Sequence, residues 1–94
     1  MSATGLSPSD VPRLPRGVRL HFDAARNAHV LLAPERAFTI DEIAASVLGL
    51  VDGKRSVVEI VQALAEKFDE KPEVIEADVL AMLDDLVAKR VVDR

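Results

Sequence analysis

The chain has 94 residues, enough for one domain with a thin core, and its apolar content of 49 % comes almost entirely from Val, Leu, Ile and Ala, with three Phe and no Trp or Tyr. It contains no Cys, which excludes disulfide frameworks, thiolate nucleophiles and the common zinc-finger ligand sets, and fits a reducing compartment. The formal net charge of -4 is uneven: residues 1 to 40 hold five Arg against three acids, residues 41 to 94 hold seven bases against thirteen acids, and this acidic second half is a poor partner for a phosphate backbone.

Residues 1 to 16 carry three of the five prolines together with Ser, Thr and Gly, and read as a flexible N-terminal arm ahead of a domain spanning 17 to 94. The start has no basic stretch followed by an apolar one, and no apolar run approaches a membrane span, so a cytoplasmic setting without membrane contact is expected. Val18 to Asp23 alternates apolar and polar strictly, the pattern of a strand with one buried face. Turn formers from Asp23 to Asn27 lead into the apolar run His29 to Ala33, which predicts a hairpin partner. Pro34 ends that strand, and Ala37-Phe38-Thr39-Ile40 resumes alternation for a third, short strand that is left as a sheet edge.

Helix signals follow. Either Thr39-x-x-Glu42 as a capping box or Asp41 as N-cap opens a first helix with Ile43, Val47 and Leu50 on one face, stopped at Asp52-Gly53. Ser56-x-x-Glu59 is a clear capping box for a second helix striped by Val57, Ile60, Val61, Leu64 and Phe68. Pro72 starts a third helix striped by Ile75, Val79, Met82, Leu83 and Leu86. Val91-Val92 either adds a brief strand or covers the core. The element order predicts an α+β fold, a small winged-helix-like domain in which a three-stranded antiparallel sheet precedes three helices.

Constellations for catalysis are nearly absent. His21 and His29 are the only histidines, and a two-His site would need the hairpin register to set them opposite each other. Asp84-Asp85 reads as a solvated helix face, since adjacent helical residues point about 100° apart. No phosphate loop or nucleophile elbow occurs, so no catalytic residue, metal or cofactor is expected. A winged helix that binds DNA would need a basic face, whereas helix two offers Glu59, Glu66 and Asp69 against Gln62 and Lys67. Peptide binding asks for an open strand edge beside an apolar helix face. Arg36, Ala37, Phe38, Thr39 and Ile40 supply the first, and Ile75, Val79, Met82 and Leu83 supply a stripe that is either core or groove wall. Arg36, Asp78 and Asp85 flank that groove and could set peptide direction.

The run Leu31-Leu32-Ala33-Pro34-Glu35-Arg36, with Pro12, Leu14, Val18-Arg19-Leu20, Asp23, Asp52-Gly53, Asp78-Val79 and Leu83-x-x-Leu86, resembles the coenzyme PQQ synthesis protein D (PqqD) family from about Pro12 to the C-terminus. The resemblance implies a RiPP recognition element: a peptide chaperone without chemistry of its own. It would bind the ribosomal precursor PqqA and present it to the radical SAM enzyme PqqE, which links a Glu to a Tyr within that peptide. It also implies that the precursor's leader adds a strand beside the third strand and packs on the third helix. On this chain that means Arg36 to Ile40 and the face carrying Ile75, Asp78, Val79, Met82 and Leu83. A monomer or weak dimer is expected. A leader-binding module of another peptide-modification pathway and a winged-helix DNA-binding regulator stay open as alternatives.

Overall fold

A computed structural model of the protein describes residues 5 to 94. Three strands, β1 (Arg19–Asp23), β2 (Ala28–Ala33) and β3 (Arg36–Ile40), form one antiparallel sheet in the order β1-β2-β3, followed by helices α1 (Glu42–Leu48), α2 (Val57–Lys67) and α3 (Pro72–Ala88). This is the predicted α+β arrangement.

The two hairpins are closed by local chemistry. At the first, the Asp23 carboxylate accepts the amides of Ala25 and Arg26 at 3.1 and 3.3 Å, and Asn27 takes the left-handed conformation at φ 52°. At the second, Pro34 fixes its own φ and Glu35 turns at φ 62°, so that Ala33 faces Arg36. Gly17 leads into β1 at φ 85°, and a Cβ there would stand 3.2 Å from Pro34, so a side chain would both strain the backbone and crowd this turn.

Ladder partners share a face, and the register separates the two faces of the sheet. Leu20, Leu31 and Phe38 form one row, and Phe22, His29 and Ile40 the next, on the face turned toward the helices. Leu31, in the middle strand, is fully buried. Phe22 departs from the expected buried face: it is 48 % exposed, at the far end of β1, where it meets the His29 ring edge-on at a centroid distance of 5.0 Å.

Asp41 caps α1, its carboxylate accepting the Ala44 amide at 2.8 Å, so the alternative capping box from Thr39 is not used. The helix stops at Leu48 with Gly49 as C-cap, earlier than Asp52-Gly53, and Leu50 lies in the turn that follows. Asp52 instead builds the connection to α2: its carboxylate accepts the Lys54 and Arg55 amides at 2.9 and 3.0 Å and pairs with the Arg55 guanidinium at 3.1 Å. Those bonds, the Arg55 amide first and the Lys54 amide next, hold its carboxyl below the usual aspartate range. Gly53 beside it sits at φ 77° and donates to the Pro12 carbonyl at 3.2 Å.

The capping box at α2 forms as predicted: Ser56 Oγ accepts the Glu59 amide and Glu59 Oε1 accepts the Ser56 amide. Pro72 opens α3 at its first position. One core cluster joins Leu31, Val47, Leu48, Ile60, Leu64, Val79 and Leu83, and the tail adds Val91 and Val92, which are buried. Phe68, predicted on the apolar stripe of α2, is its C-cap and is 47 % exposed.

Before β1 the chain is irregular, as its composition predicts, but from Gly5 onward it is held against the helices; the tip, residues 1 to 4, lies outside the described residues. Leu6 and Pro12 are buried. The carbonyls of Asp10 and Pro8 accept the amides of Val57 and Val58 at 2.9 and 3.0 Å, satisfying donors that the first turn of α2 leaves without helical partners. Arg13 and Asp93 exchange backbone hydrogen bonds at 2.9 and 2.8 Å, and Arg94 donates to the Gly5 carbonyl at 3.0 Å. Asp84, expected on a solvated helix face, is partly buried and accepts the Leu6 amide at 2.6 Å. Its adjacent carboxylate, Asp85, pairs with Lys89 at 2.7 Å.

Candidate functional site

β3 is bonded to β2 on one side only, so its other edge is unpaired within the chain. Of its five residues, Phe38 and Ile40 are half-buried and pack on the core, while Arg36, Ala37 and Thr39 are exposed. Ladder alternation puts Ala37 and Thr39 on the sheet face turned away from the helices, in line with Leu32 and Val30. Arg36 is anchored: its guanidinium donates to the Lys89 carbonyl at 2.8 Å and lies 5.4 Å from the Phe38 ring centroid. That bond ties the start of β3 to the end of α3.

On α3 the predicted stripe divides by depth. Leu83 is fully buried and Val79 is 3 % exposed, so both serve the core, whereas Ile75 and Met82 are half-buried at its margin and Asp78 is exposed. Ile75, Asp78, Val79 and Met82 converge on a cavity of about 350 Å3 that is also walled by Ile43 and Val47 of α1 and by Leu64 and Phe68 of α2. Leu83 and the β3 residues do not line it. The predicted residues therefore form two adjoining features, an open strand edge and an apolar cavity along α3.

Three residues of that cavity escaped the sequence analysis as surface features. Ile43 is 66 % exposed, Val74 55 % and Phe68 47 %. Ile43 and Phe68 read as core from helical spacing. The signal for Val74 is that it lies beside Ile75 but off the 75, 79, 82, 86 stripe, an apolar residue with no core to face.

A second depression of about 490 Å3 lies between the sheet, α1 and α2, with His29, Glu42, Ser46 and Lys67 among its lining. Its polar walls and the 3.4 Å contact of Lys67 Nζ with Ser46 Oγ set it apart from the apolar cavity. The two histidines do not meet: Val30 stands opposite His21 and Phe22 opposite His29, which puts the imidazoles on opposite faces of the sheet. Among the described residues no three His, Asp or Glu side chains are grouped closely enough to hold a metal ion, and no helix is long and apolar enough to cross a membrane.

The family model for coenzyme PQQ synthesis protein D (PqqD) matches residues 28 to 92. The chain belongs to the PqqD family. It is 58 % identical over 91 residues to the bifunctional coenzyme PQQ synthesis protein C/D of Methylorubrum extorquens, a match covering 97 % of this chain and 24 % of that longer protein. It is 43 % identical over 88 residues to the PqqA binding protein of Rhizobium meliloti, covering 94 % of this chain and 90 % of the relative. Among solved structures, the solution NMR structure of the PqqD truncation of Methylobacterium extorquens PqqCD is similar over the whole of both chains, with TM-score 0.86 and 57 % identity. That truncation is described as a functional, stand-alone RiPP recognition element. The crystal structure of PqqD from Xanthomonas campestris is similar at TM-score 0.61 and 42 % identity, covering 95 % of this chain and 99 % of that one. The family thus shares the order of three strands and three helices that frames the open β3 edge.

Proposed function

We propose that this protein is the peptide chaperone of pyrroloquinoline quinone biosynthesis. It binds the ribosomal precursor PqqA as an added strand beside β3, with side chains against α3, and presents it to the radical SAM enzyme PqqE. The observation that carries the reading is the unpaired edge of β3 lying next to an apolar cavity along α3, in a chain whose relatives include proteins named for PqqA binding. Strand addition supplies affinity through backbone hydrogen bonds, and the cavity supplies side-chain selection.

The backbone chemistry can be followed residue by residue. Counted from the two-residue turn at Pro34-Glu35, the alternation of an antiparallel ladder points the amides and carbonyls of Arg36, Phe38 and Ile40 toward β2 and leaves those of Ala37 and Thr39 for an incoming strand. Arg36, anchored to Lys89, keeps the two walls of the groove in register. Asp78 has no ion pair among the described residues and is the free charge on the α3 side.

The domain itself carries out no bond-making step and uses no cofactor. Its contribution is effective concentration: holding the leader makes delivery of the rest of the peptide to the enzyme nearly intramolecular. This work is done in the cytoplasm, where the precursor is synthesised, by a monomer or weak dimer whose β3 edge stays free.

An NMR titration of the labelled domain with PqqA tests the reading. Amide shifts concentrated at Arg36 to Ile40 and Ile75 to Met82 are expected, and absence of shifts at large peptide excess would refute PqqA as the ligand. Ala37→Pro sharpens the test, because it deletes an outward donor while leaving the β2 pairing intact. Binding should fall at least about tenfold with the strand resonances of β2 unchanged.

A further inference from the structure

We infer that the cavity between α1, the end of α2 and the first half of α3 is an anchor pocket for one bulky apolar side chain that has a lysine or arginine close to it in the same peptide. The inference rests on the peptide-binding reading above and names which side chains that peptide must offer. Ile43, Phe68 and Val74 surround one opening while roughly half or more of each side chain is exposed. Exposed apolar residues scattered singly are ordinary on a protein surface, but three that ring a cavity of about 350 Å3 mark a binding site.

The pocket is continuous with the strand edge. β3 ends at Ile40, Asp41 caps α1, and Ile43 stands in the first turn of α1. A chain lying along β3 therefore reaches Ile43 without crossing any other element. On the α3 side, Ile75 and Met82 line the pocket and pack on the same core cluster as Phe38 and Ile40.

Charge selects the neighbour of the anchor. The only ionisable groups lining the pocket are the carboxylates of Glu70 and Asp78. Glu70 receives only the adjacent Lys71 amide at 3.3 Å, and Asp78 makes no ion pair among the described residues. Lys67 holds its ammonium 5.5 Å from the Phe68 ring centroid but lines the other depression, beside Ser46. An occupant with an acidic residue next to its anchor would meet like charge, while a basic one is matched.

The test is isothermal titration of PqqA against the full chain and three variants, Val74→Glu, Asp78→Lys and Ala37→Pro. Val74 and Asp78 are exposed, so both substitutions should leave the circular dichroism spectrum unchanged; Val74→Ser serves if Val74→Glu does not fold. The expected result is binding weakened about tenfold or more by Val74→Glu and about threefold or more by Asp78→Lys. Replacing the peptide's anchor by Ala should weaken binding to the unaltered chain and add little on top of Val74→Glu. Changing the anchor's basic neighbour to Glu should restore affinity for Asp78→Lys. If Ala37→Pro abolishes binding while Val74→Glu and Asp78→Lys bind as the unaltered chain does, the pocket assignment is wrong and the strand-addition reading stands. If the unaltered chain itself does not bind PqqA, the parent reading fails. If Val74→Glu keeps PqqA affinity but loses association with PqqE or with a second copy of the chain, the pocket belongs to that protein surface and the inference is overturned.

Discussion

Shortening Leu6 to Ala measures whether the N-terminal segment is part of the folded unit. Leu6 is 7 % exposed within the core cluster, and its amide donates to Asp84 at 2.6 Å. The substitution removes about three carbons, worth roughly 0.8 kcal/mol each on burial, so the transfer contribution is about 2 kcal/mol. The cavity contribution should be small, because an irregular segment on the outside of the helices can settle inward, which puts the total near the lower end of the range for Leu→Ala in cores, about 2 kcal/mol. For a domain of this size that lowers the melting temperature by about 10 °C. Asp84→Ala removes the other side of the same contact and should cost about 1 kcal/mol, since the freed amide is only partly buried and can take up water. The two losses overlap, so the double variant should be less destabilised than their sum by roughly 0.5 kcal/mol or more. Urea and thermal denaturation of the four proteins give all these values. A Leu6→Ala change of less than about 0.5 kcal/mol would refute the reasoning and make residues 5 to 16 an arm independent of the core.

Capping makes a separate prediction: Asp41→Ala should destabilise by about 1 kcal/mol, whereas Thr39→Ala should stay within about 0.5 kcal/mol, because Asp41 alone accepts the Ala44 amide. Equal losses in denaturant melts would mean that Thr39 shares the cap. Asp52 sets a pH dependence. Its carboxyl is held below the ordinary 3.8 by the Arg55 and Lys54 amides, so its contribution to stability is complete above that value and is lost as pH falls through the lowered one. A carbon-detected NMR titration of the Asp52 carboxyl checks the sign, and a midpoint at or above 3.8 would contradict it.

Most of the fold could be read where one residue carries its own geometric demand. Pro34 with Arg36, Ser56 with Glu59, and Pro72 each dictate a local break or start, and the structure has all three. Depth was harder to read. Phe22 and Phe68 obey the strand and helix periods yet lie at element ends beyond the reach of the opposite layer, because a period assigns a face and not its cover. The same ambiguity divided the α3 stripe: Leu83 and Met82 are neighbours in sequence, but only Leu83 faces wholly inward. The packing of the first residues was the least legible, since the α2 amides are taken by the carbonyls of Pro8 and Asp10, and a backbone acceptor leaves no mark in the residue types. Asp84 was misread for a related reason, its partner being the Leu6 amide 78 residues away.

The joining of the two chain ends carries a kinetic consequence. The bonds from Leu6 to Asp84 and from Arg94 to Gly5 span 78 and 89 residues, so each can form only after nearly the whole chain has been gathered. Contacts that assemble after the folding transition state leave the folding rate untouched and act on the escape rate instead. The lifetime of the native state is thereby governed at the termini, while the strand that meets the peptide, held by short-range hairpins, is free to open and close many times within it.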